Sequence, residues 1–440
     1  MKIVIVGAGS HAFSRLLISD FLSYSDLRDS TITLMDIDKE MLDLVTAFAK
    51  KLVVQHGFNT RIESTMNRRE ALDGADYVIT MVRAGGFLRE LPPACAIPMK
   101  YEVNQGTTDG TIGPGGVFYG LRQIPLMLDI CRDMEELCPD AWLINYTNPM
   151  AMVCWAINDY THIKNVGLCH SVQHTAAQLA KYIGAPYDEI SYWVAGINHM
   201  AWFLEFKWQG KDAYPLLREK FKDPEVYSKP DEYHDWPDIV CAEIFKTFGY
   251  YTTEGSRVQS QFHPYFRKRP DLIEKYGLPP FPLFDRVVKT RRAQDEELRQ
   301  QLNSGHKFEI RRSLEYCPTI IHSIETGIPS RINGNVKNTG LITNLPDGCC
   351  VEVPCLVDKE GVHPCYIGNL PPQLAALNRT SINVQELAVR GIVEKDKTKI
   401  FQAILFDPLT SAILTIDETR QMVDEIFQAD PEYLKGIESK

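Results

Sequence analysis

The sequence contains no long hydrophobic run, no excess of positive charge and no cysteine pairs at the spacings of a zinc ribbon. No apolar stretch approaches the roughly 18 residues that a membrane-spanning helix needs, so we expect no membrane partner. The net charge of −10 argues against nucleic acid as a partner, because phosphate binding requires a basic surface. The N-terminus lacks the features of a signal peptide, and the eleven cysteines form no disulfide pattern. We therefore expect a cytoplasmic protein with mostly reduced cysteines.

The composition is that of an ordinary globular protein, with 44% hydrophobic and 24% charged residues, and 440 residues suffice for two or three domains. Apolar runs that predict strands in the first part alternate with stretches of helical spacing, such as 41–53 and 121–137. The runs are 3–6, 31–35, 77–82, 142–146 and 165–168. This alternation predicts an α/β fold with a Rossmann-type, doubly wound parallel sheet.

The second part has a different pattern, with more proline and aromatic residues. We predict helices at 291–302, 384–406 and 417–429, and strands at 318–324 and 350–357. The predicted organisation is an N-terminal domain, 1–195, that binds a dinucleotide, and a C-terminal mixed α+β domain, 196–440. We expect the second domain to contribute substrate, metal and oligomer contacts.

A glycine-rich turn follows the first predicted strand. Gly7 and Gly9 allow the backbone N–H groups to approach a pyrophosphate, and Ala12 lets the next helix pack closely. Asp36 ends the second predicted strand, at about the separation of 20 residues that suits a contact with a ribose 2′-hydroxyl. The pattern predicts NAD rather than NADP, bound by Gly7, Gly9, Ser10 and Asp36. A structural turn with a coincidental aspartate is the less favoured alternative.

Polar residues also follow the later strands of the predicted sheet. Arg83 follows the third strand, Asn148 the fourth, and Cys169 with His170 the fifth. The carboxyl ends of parallel strands share one edge, so these residues are expected to meet in one cleft.

Cys169 and His199 form a candidate metal-binding pair. A thiolate and an imidazole suit a divalent transition ion such as Mn, Fe, Co, Ni or Zn. The alternative is a buried structural cysteine and an unrelated core histidine, and spacing alone favours that alternative.

The chain resembles the NAD-dependent family 4 glycoside hydrolases along nearly its whole length. The shared motifs are GAGS at 7–10, LMDID at 34–38, IGPGG at 112–116, NYTNPM at 145–150, GLCHSVQ at 167–173, GINHMA at 196–201 and NLP at 344–346. Cys-His-Ser-Val at 169–172 is the pattern of the α-galactosidase branch. Phospho-sugar branches carry Asp or Asn at the position of His170, and the galacturonidase branch carries Glu at that of Ser171.

The resemblance implies an α-glycosidase, in first place an α-galactosidase, that uses NAD and Mn²⁺ or another divalent transition metal. It implies oxidation of the sugar at C3, proton removal at C2, elimination of the glycosidic oxygen, water addition and re-reduction. Cys169 and His199 would hold the metal, and Asn148 would contact the sugar. Asn148 is equally compatible with a turn before Pro149. The resemblance also implies a homodimer or homotetramer.

The acid and the base of this reaction are less clearly marked. His170 stands where phospho-sugar relatives carry an acidic Asp, so it is either the general acid or a residue that orients Cys169. The base of those relatives is a Tyr, whereas this chain has Phe262, which cannot accept a proton. The remaining candidates are Asp109, Glu254, His263, Tyr265 and a metal-bound hydroxide. Asp109 is our first choice, and a plain turn aspartate is its alternative.

Arg83 and Arg89 are candidate substrate-binding residues, because arginine binds carboxylates in a bidentate manner. If one of them faces the substrate, an α-galacturonide or α-glucuronide becomes the alternative to a neutral galactoside. An α-glucosidase of the same family is a further alternative. From other classes we retain a lactate/malate-type 2-hydroxyacid dehydrogenase, and a sensor that binds NAD without catalysis.

Overall fold

The computed structural model describes residues 1–86, 91–105, 112–230, 236–278 and 284–430, without the side chains of His11 and of 284–287. The strands belong to one twelve-stranded sheet. They are β1 (Lys2–Val6), β2 (Thr31–Met35), β3 (Arg61–Thr65), β4 (Tyr77–Thr80), β5 (Trp142–Asn145), β6 (Asn165–Gly167), β7 (Ile190–Ile197), β8 (Met200–Trp208), β9 (Lys211–Asp212), β10 (Ser330–Lys337), β11 (Cys350–Asp358) and β12 (Gly361–Pro364).

The helices of the described ranges cover the sheet and fill the second half. They are α1 (His11–Ser23), α2 (Lys39–His56), α3 (Arg68–Leu72), α4 (Pro93–Lys100), α5 (Gly113–Leu137), α6 (Met150–Tyr160), α7 (Ser171–Ile183), α8 (Tyr214–Lys220), α9 (Ile239–Phe248), α10 (Ser256–Phe262), α11 (Pro270–Lys275), α12 (Phe284–Asn303), α13 (Cys317–Thr326), α14 (Pro372–Val393), α15 (Lys397–Leu405), α16 (Pro408–Ser411) and α17 (Ile416–Ala429). In this part of the chain, every helix is too short or too polar to cross a lipid bilayer.

The N-terminal half contains the predicted parallel sheet. Its strand order is β3-β2-β1-β4-β5-β6, and all neighbouring pairs are parallel. The five predicted strands agree with the structure to within two residues at each end. The prediction omitted β3, because its sequence Arg-Ile-Glu-Ser-Thr is polar and it lies partly exposed at the sheet edge.

The second half extends the same sheet with antiparallel strands in the order β10-β11-β7-β8-β9. One row of paired residues crosses the junction: Gly167 pairs with Asn335, Asn335 with Glu352, and Glu352 with Gly196. The α/β fold with a mixed second half is confirmed. The domain boundary after residue 195 falls inside β7 and stays a prediction.

One prediction in the second half is wrong, and another holds with a break in the middle. Segment 318–324 is part of the helix α13, not a strand; Pro318 lies in its first turn, where proline suits a helix. Segment 384–406 is not one helix, because α14 ends before Lys395, which has a φ of +57°. The side chain of Asp396 then caps α15 by accepting hydrogen bonds from two backbone N–H groups.

The hairpin of β7 and β8 is held in the core by a buried asparagine of α14. Asn378 Oδ1 accepts a hydrogen bond from Trp202 Nε1 at 3.1 Å, and its Nδ2 donates to the Met200 carbonyl at 2.7 Å. Asn378 and Trp202 are both fully buried. This pair of bonds fixes the hairpin directly beside its turn at residues 198 and 199.

We expect Asn378→Ala to lower the free energy of unfolding by about 2 to 4 kcal/mol, because it leaves two buried polar groups without a partner. Urea denaturation measures the change. Thr380→Ala, at an exposed position of the same helix, is the control and should change stability little. Equal stabilities of the two variants would contradict this role of Asn378.

Candidate active site

A cleft of about 2000 Å³ lies along the carboxyl ends of the parallel strands. Its lining combines the turn after β1, Asp36 after β2, Arg83 after β4, Asn148 after β5 and Cys169 after β6. The predicted convergence of these positions in one cleft is therefore observed. Side chains of the second half complete the lining, from the β7–β8 turn, from the segment around α10 and from α12.

The glycine-rich turn leaves no room for larger residues. A Cβ atom on Gly7, which has a φ of +91°, would lie 2.7 Å from the Met81 carbonyl oxygen. On Gly9 it would lie 2.7 Å from Asp36 Oδ2, which accepts a hydrogen bond from Gly9 N at 2.6 Å. Ser10 is the N-cap of α1 and also lines the cleft. The backbone N–H groups of residues 7–10 are hydrogen-bonded within the protein, so the feature that suits an anion here is the N-terminus of α1.

Cys169 and His199 meet at the other end of the cleft, together with Glu254. The Sγ, imidazole nitrogen and carboxylate oxygen of these residues lie within 4.8 Å of one another. Glu254 Oε1 is 3.3 Å from His199 Nε2 and 3.7 Å from Cys169 Sγ. Sulfur, imidazole and carboxylate form a donor set that fits a divalent transition ion and leaves positions open for a substrate. The sequence pointed to two of these ligands and treated Glu254 as a candidate base.

The backbone is strained at two of the three ligands. His199 has a φ of +62° in the two-residue turn between β7 and β8, and Glu254 has a φ of +71°. Positive φ is uncommon for residues other than glycine, and such strain is concentrated at functional sites. Gln259 of α10 ties the two segments together, because its side-chain amide donates to the carbonyl oxygens of both His199 and Thr253.

Burial shifts the titration of the cluster. It raises the pKa of the Cys169 thiol well above its usual value, and the carboxylates of Glu254 and Glu352 add to this effect. Burial lowers the pKa of His199, which favours the neutral imidazole that ligates metals. Glu352 lies fully buried behind the cluster, and burial raises its pKa to about 8. Perturbed groups that gather in a cleft are typical of functional sites.

His170 lies at the N-terminus of α7, lines the cleft and has a half-exposed side chain. Its Nδ1 is 4.0 Å from Glu315 Oε1. Glu315 is buried, accepts a hydrogen bond from the Tyr146 hydroxyl at 3.0 Å, and has a pKa raised by that burial. His170 is thus close to Cys169 and open to the cleft, an arrangement compatible with either predicted role.

The two predicted sugar contacts that the structure describes both line the cleft. The guanidinium carbon of Arg83 lies 5.4 Å from the centre of the Tyr119 ring. Asn148 Oδ1 accepts a hydrogen bond from Met150 N at 3.2 Å, so it also forms the turn that we weighed as its alternative. Arg89 and Asp109 lie outside the described residues.

The remaining base candidates differ in position. Phe262 and His263 are buried in the core, and burial lowers the pKa of His263 to about 4. Tyr265 is exposed and is not among the described residues that line the cleft. Glu254 is in the cleft, within the metal cluster.

Sequence reasoning missed several cleft residues of the second half. Arg257, Val258 and Gln261 face the cleft from α10. Arg257 and Val258 stand four and three residues before Gln261, which is the spacing of one helical face and could have revealed them. Arg291 of α12 also lines the cleft, and no local motif in the sequence marks it.

Comparison with known proteins agrees with this geometry. Residues 2–185 match the model of the family 4 glycosyl hydrolases, and residues 194–410 match that of the family 4 glycosyl hydrolase C-terminal domain. The chain belongs to family 4 of the glycosyl hydrolases. This membership confirms the resemblance and favours glycosidase chemistry over the dehydrogenase alternative.

Two relatives cover nearly the whole chain. An α-galactosidase of Bacillus subtilis (strain 168) is 40% identical over 98% of this chain and 99% of its own. An α-galactosidase of Rhizobium meliloti (strain 1021) is 38% identical over 100% of this chain and 91% of its own. A solved 6-phospho-α-glucosidase from gut microorganisms, in complex with NAD and Mn²⁺, has a TM-score of 0.81 at 21% identity and covers 100% of this chain and 99% of its own. That structure supports the fold.

We expect Glu254→Ala to weaken binding of Mn²⁺ by at least about 100-fold, because it removes one of three protein ligands. Isothermal titration of the purified protein measures the affinity. Glu274→Ala, at an exposed position on α11, is the control and should bind as the unmodified protein does. Unchanged affinity in Glu254→Ala would remove this residue from the ligand set.

Proposed function

We propose that this protein is an α-galactosidase that hydrolyses α-galactosides with NAD and a divalent metal ion, in first place Mn²⁺, as cofactors. The observation that carries the proposal is the cluster of Cys169, His199 and Glu254 in the same cleft as the glycine-rich turn. The two α-galactosidases that are 38% and 40% identical support the choice of substrate. The Cys-His-Ser-Val motif at 169–172 supports the same choice.

The cofactors would supply the redox chemistry and charge stabilisation, and residues of the chain would bind the cofactors and orient the sugar. When bound, NAD would accept and return a hydride at C3 of the sugar, and the ion would stabilise negative charge on the C2 and C3 oxygens. The cluster of Cys169, His199 and Glu254 would hold the ion. The dinucleotide would lie on Gly7, Gly9, Ser10 and Asp36. Asn148 and Arg83 would orient the sugar between the two sites.

Proton transfer is assigned to residues other than the three that would hold the metal ion. We assign the acid role at the glycosidic oxygen to His170, because its half-exposed imidazole opens to the cleft next to Cys169. Since Glu254 lies 3.3 Å from His199 Nε2, we assign it to the metal ion rather than to the C2 proton. Asp109 remains our first choice for the base.

An α-galacturonidase of the same family is the second candidate. Arg83 lines the cleft and would pair with a uronate carboxylate. An α-galacturonidase of Thermoanaerobacter italicus (strain DSM 9252 / Ab9) is 29% identical over 99% of this chain and 98% of its own. Comparing 4-nitrophenyl α-galactoside with the matching α-galacturonide decides between the two.

We also propose that the enzyme works in the cytoplasm as a homodimer or homotetramer, with a small α-glycoside as its substrate. The family resemblance supports the assembly, and the composition supports the compartment. Light scattering after size exclusion measures the assembly, and a monomeric mass would contradict it.

The release of nitrophenol from 4-nitrophenyl α-galactoside is expected to require both Mn²⁺ and NAD⁺, without net formation of NADH. Omitting either cofactor, or the substitution Cys169→Ala, should reduce the rate to background. Cys365→Ala, which changes a cysteine outside the cleft lining, is the control and should keep the rate. Full activity after chelation and removal of NAD would contradict the proposal.

Solvent deuterium should appear at C2 of the released galactose, because the C2 proton is removed and replaced during elimination and water addition. Proton NMR of the product formed in D₂O measures the incorporation. A product that keeps its original hydrogen at C2 would exclude the elimination route, even if both cofactors are needed.

A further inference from the structure

Helix α12 connects the C-terminal half to the cofactor end of the cleft, because it packs along α2, the helix that follows Asp36. Near the start of α2, Arg299 donates to Glu40 Oε1 at 2.5 Å. Near its end, Lys51 Nζ donates to the carbonyl oxygens of residues 301, 302 and 304 at 3.1, 3.0 and 3.0 Å. These contacts fix the direction of α12 relative to α2.

This packing determines the position of Arg291. Arg299 lies level with Glu40, and Arg291 precedes it by two helical turns, or about 12 Å along the axis. Arg291 therefore lies beyond the start of α2, where the chain enters from Asp36. It is partly buried and lines the cleft together with Gly7, Gly9 and Ser10.

The charges around Arg291 define its position across the sheet. Asp36 and Asp38 act on its guanidinium from the β2 side, and Arg83 acts on it from the β4 side. Because β1 lies between β2 and β4, a group between these charges lies over the turn that follows β1. Burial lowers the pKa of Arg291, Asp295 on the same helix raises it, and the positive charge of Arg83 lowers it. An anion placed between Arg291 and Arg83 would relieve the repulsion between these two arginines.

We propose that Arg291 binds the pyrophosphate of the dinucleotide, opposite the N-terminus of α1, which follows the glycine-rich turn. This assignment rests on the proposed use of NAD. A guanidinium offers paired donors that match phosphate oxygens, and the N-terminus of α1 favours an anion from the other side. A 2′-phosphate is a poorer match, because Asp36 and Asp38 would repel it.

The test compares the affinities of the intact protein and its Arg291→Ala variant for NAD⁺, ADP-ribose and adenosine. Isothermal titration measures the first two ligands, and NMR titration measures adenosine. Arg291→Ala should weaken NAD⁺ and ADP-ribose roughly 10- to 100-fold, because each charge-assisted contact is lost, and should leave adenosine unchanged. Arg292→Ala, at the exposed next position of α12, is the matched control and should bind all three normally. Arg291→Gln, which keeps the first three side-chain carbons and removes the charge, replaces the alanine variant if that variant does not fold.

The possible outcomes distinguish a failure of the proposed NAD cofactor from a failure of the proposed role of Arg291. An intact protein that binds no NAD⁺ contradicts the proposed cofactor itself. An intact protein that binds NAD⁺, with variants that bind it equally well, overturns the role of Arg291. Equal weakening of NAD⁺ and adenosine would also overturn it, since Arg291 would then act through the position of α12 and not on the pyrophosphate.

Discussion

The site depends on one row of backbone pairing that crosses the sheet from the parallel to the antiparallel half. Gly167 of β6 pairs with Asn335, which pairs with Glu352, which pairs with Gly196 of β7. Cys169 lies two residues beyond one end of this row, and His199 three residues beyond the other. The register of four strands therefore fixes the relative positions of two ligands that are thirty residues apart in the sequence.

The two glycines of this row allow the close packing that the register requires. A Cβ on Gly167 would lie 2.5 Å from Cys154 Sγ, and one on Gly196 would lie 2.6 Å from the Met200 carbonyl oxygen. Between them, Asn335 Nδ2 lies 3.4 Å from Glu352 Oε1 in the buried centre of the row. The same row thus carries Glu352, which adds to the rise in the pKa of the Cys169 thiol that burial and Glu254 cause. The paired row therefore determines both the positions of the strands at the site and part of the charge around Cys169.

Local pattern was enough to predict five of the six parallel strands of the first half. The apolar strands, the glycine-rich turn and Asp36 are contiguous signals, and parallel strands place whatever follows them at one edge. The role of Glu254 as a candidate metal ligand could not be predicted from local sequence pattern. Its place in the metal cluster depends on a backbone conformation with positive φ and on Gln259, which ties its segment to the His199 turn. Neither feature has a signature in the sequence.

Long-range packing explains the other differences. Segment 318–324 is rich in isoleucine and was predicted as a strand, yet both Ile320 and Ile321 are buried within the helix α13. Arg291 is one arginine of a highly charged helix, and only the packing of α12 along α2 directs it to the cleft. Burial against distant elements overrides local preference in both cases.

The most direct test of the whole account is the location of Mn²⁺ in a crystal of the protein grown with Mn²⁺ and NAD⁺. We expect an anomalous-scattering peak at bonding distance from Cys169 Sγ, His199 Nε2 and a Glu254 carboxylate oxygen, with open positions facing the cleft. An ion bound elsewhere, or a cluster that stays free of metal at saturating Mn²⁺, would contradict the account.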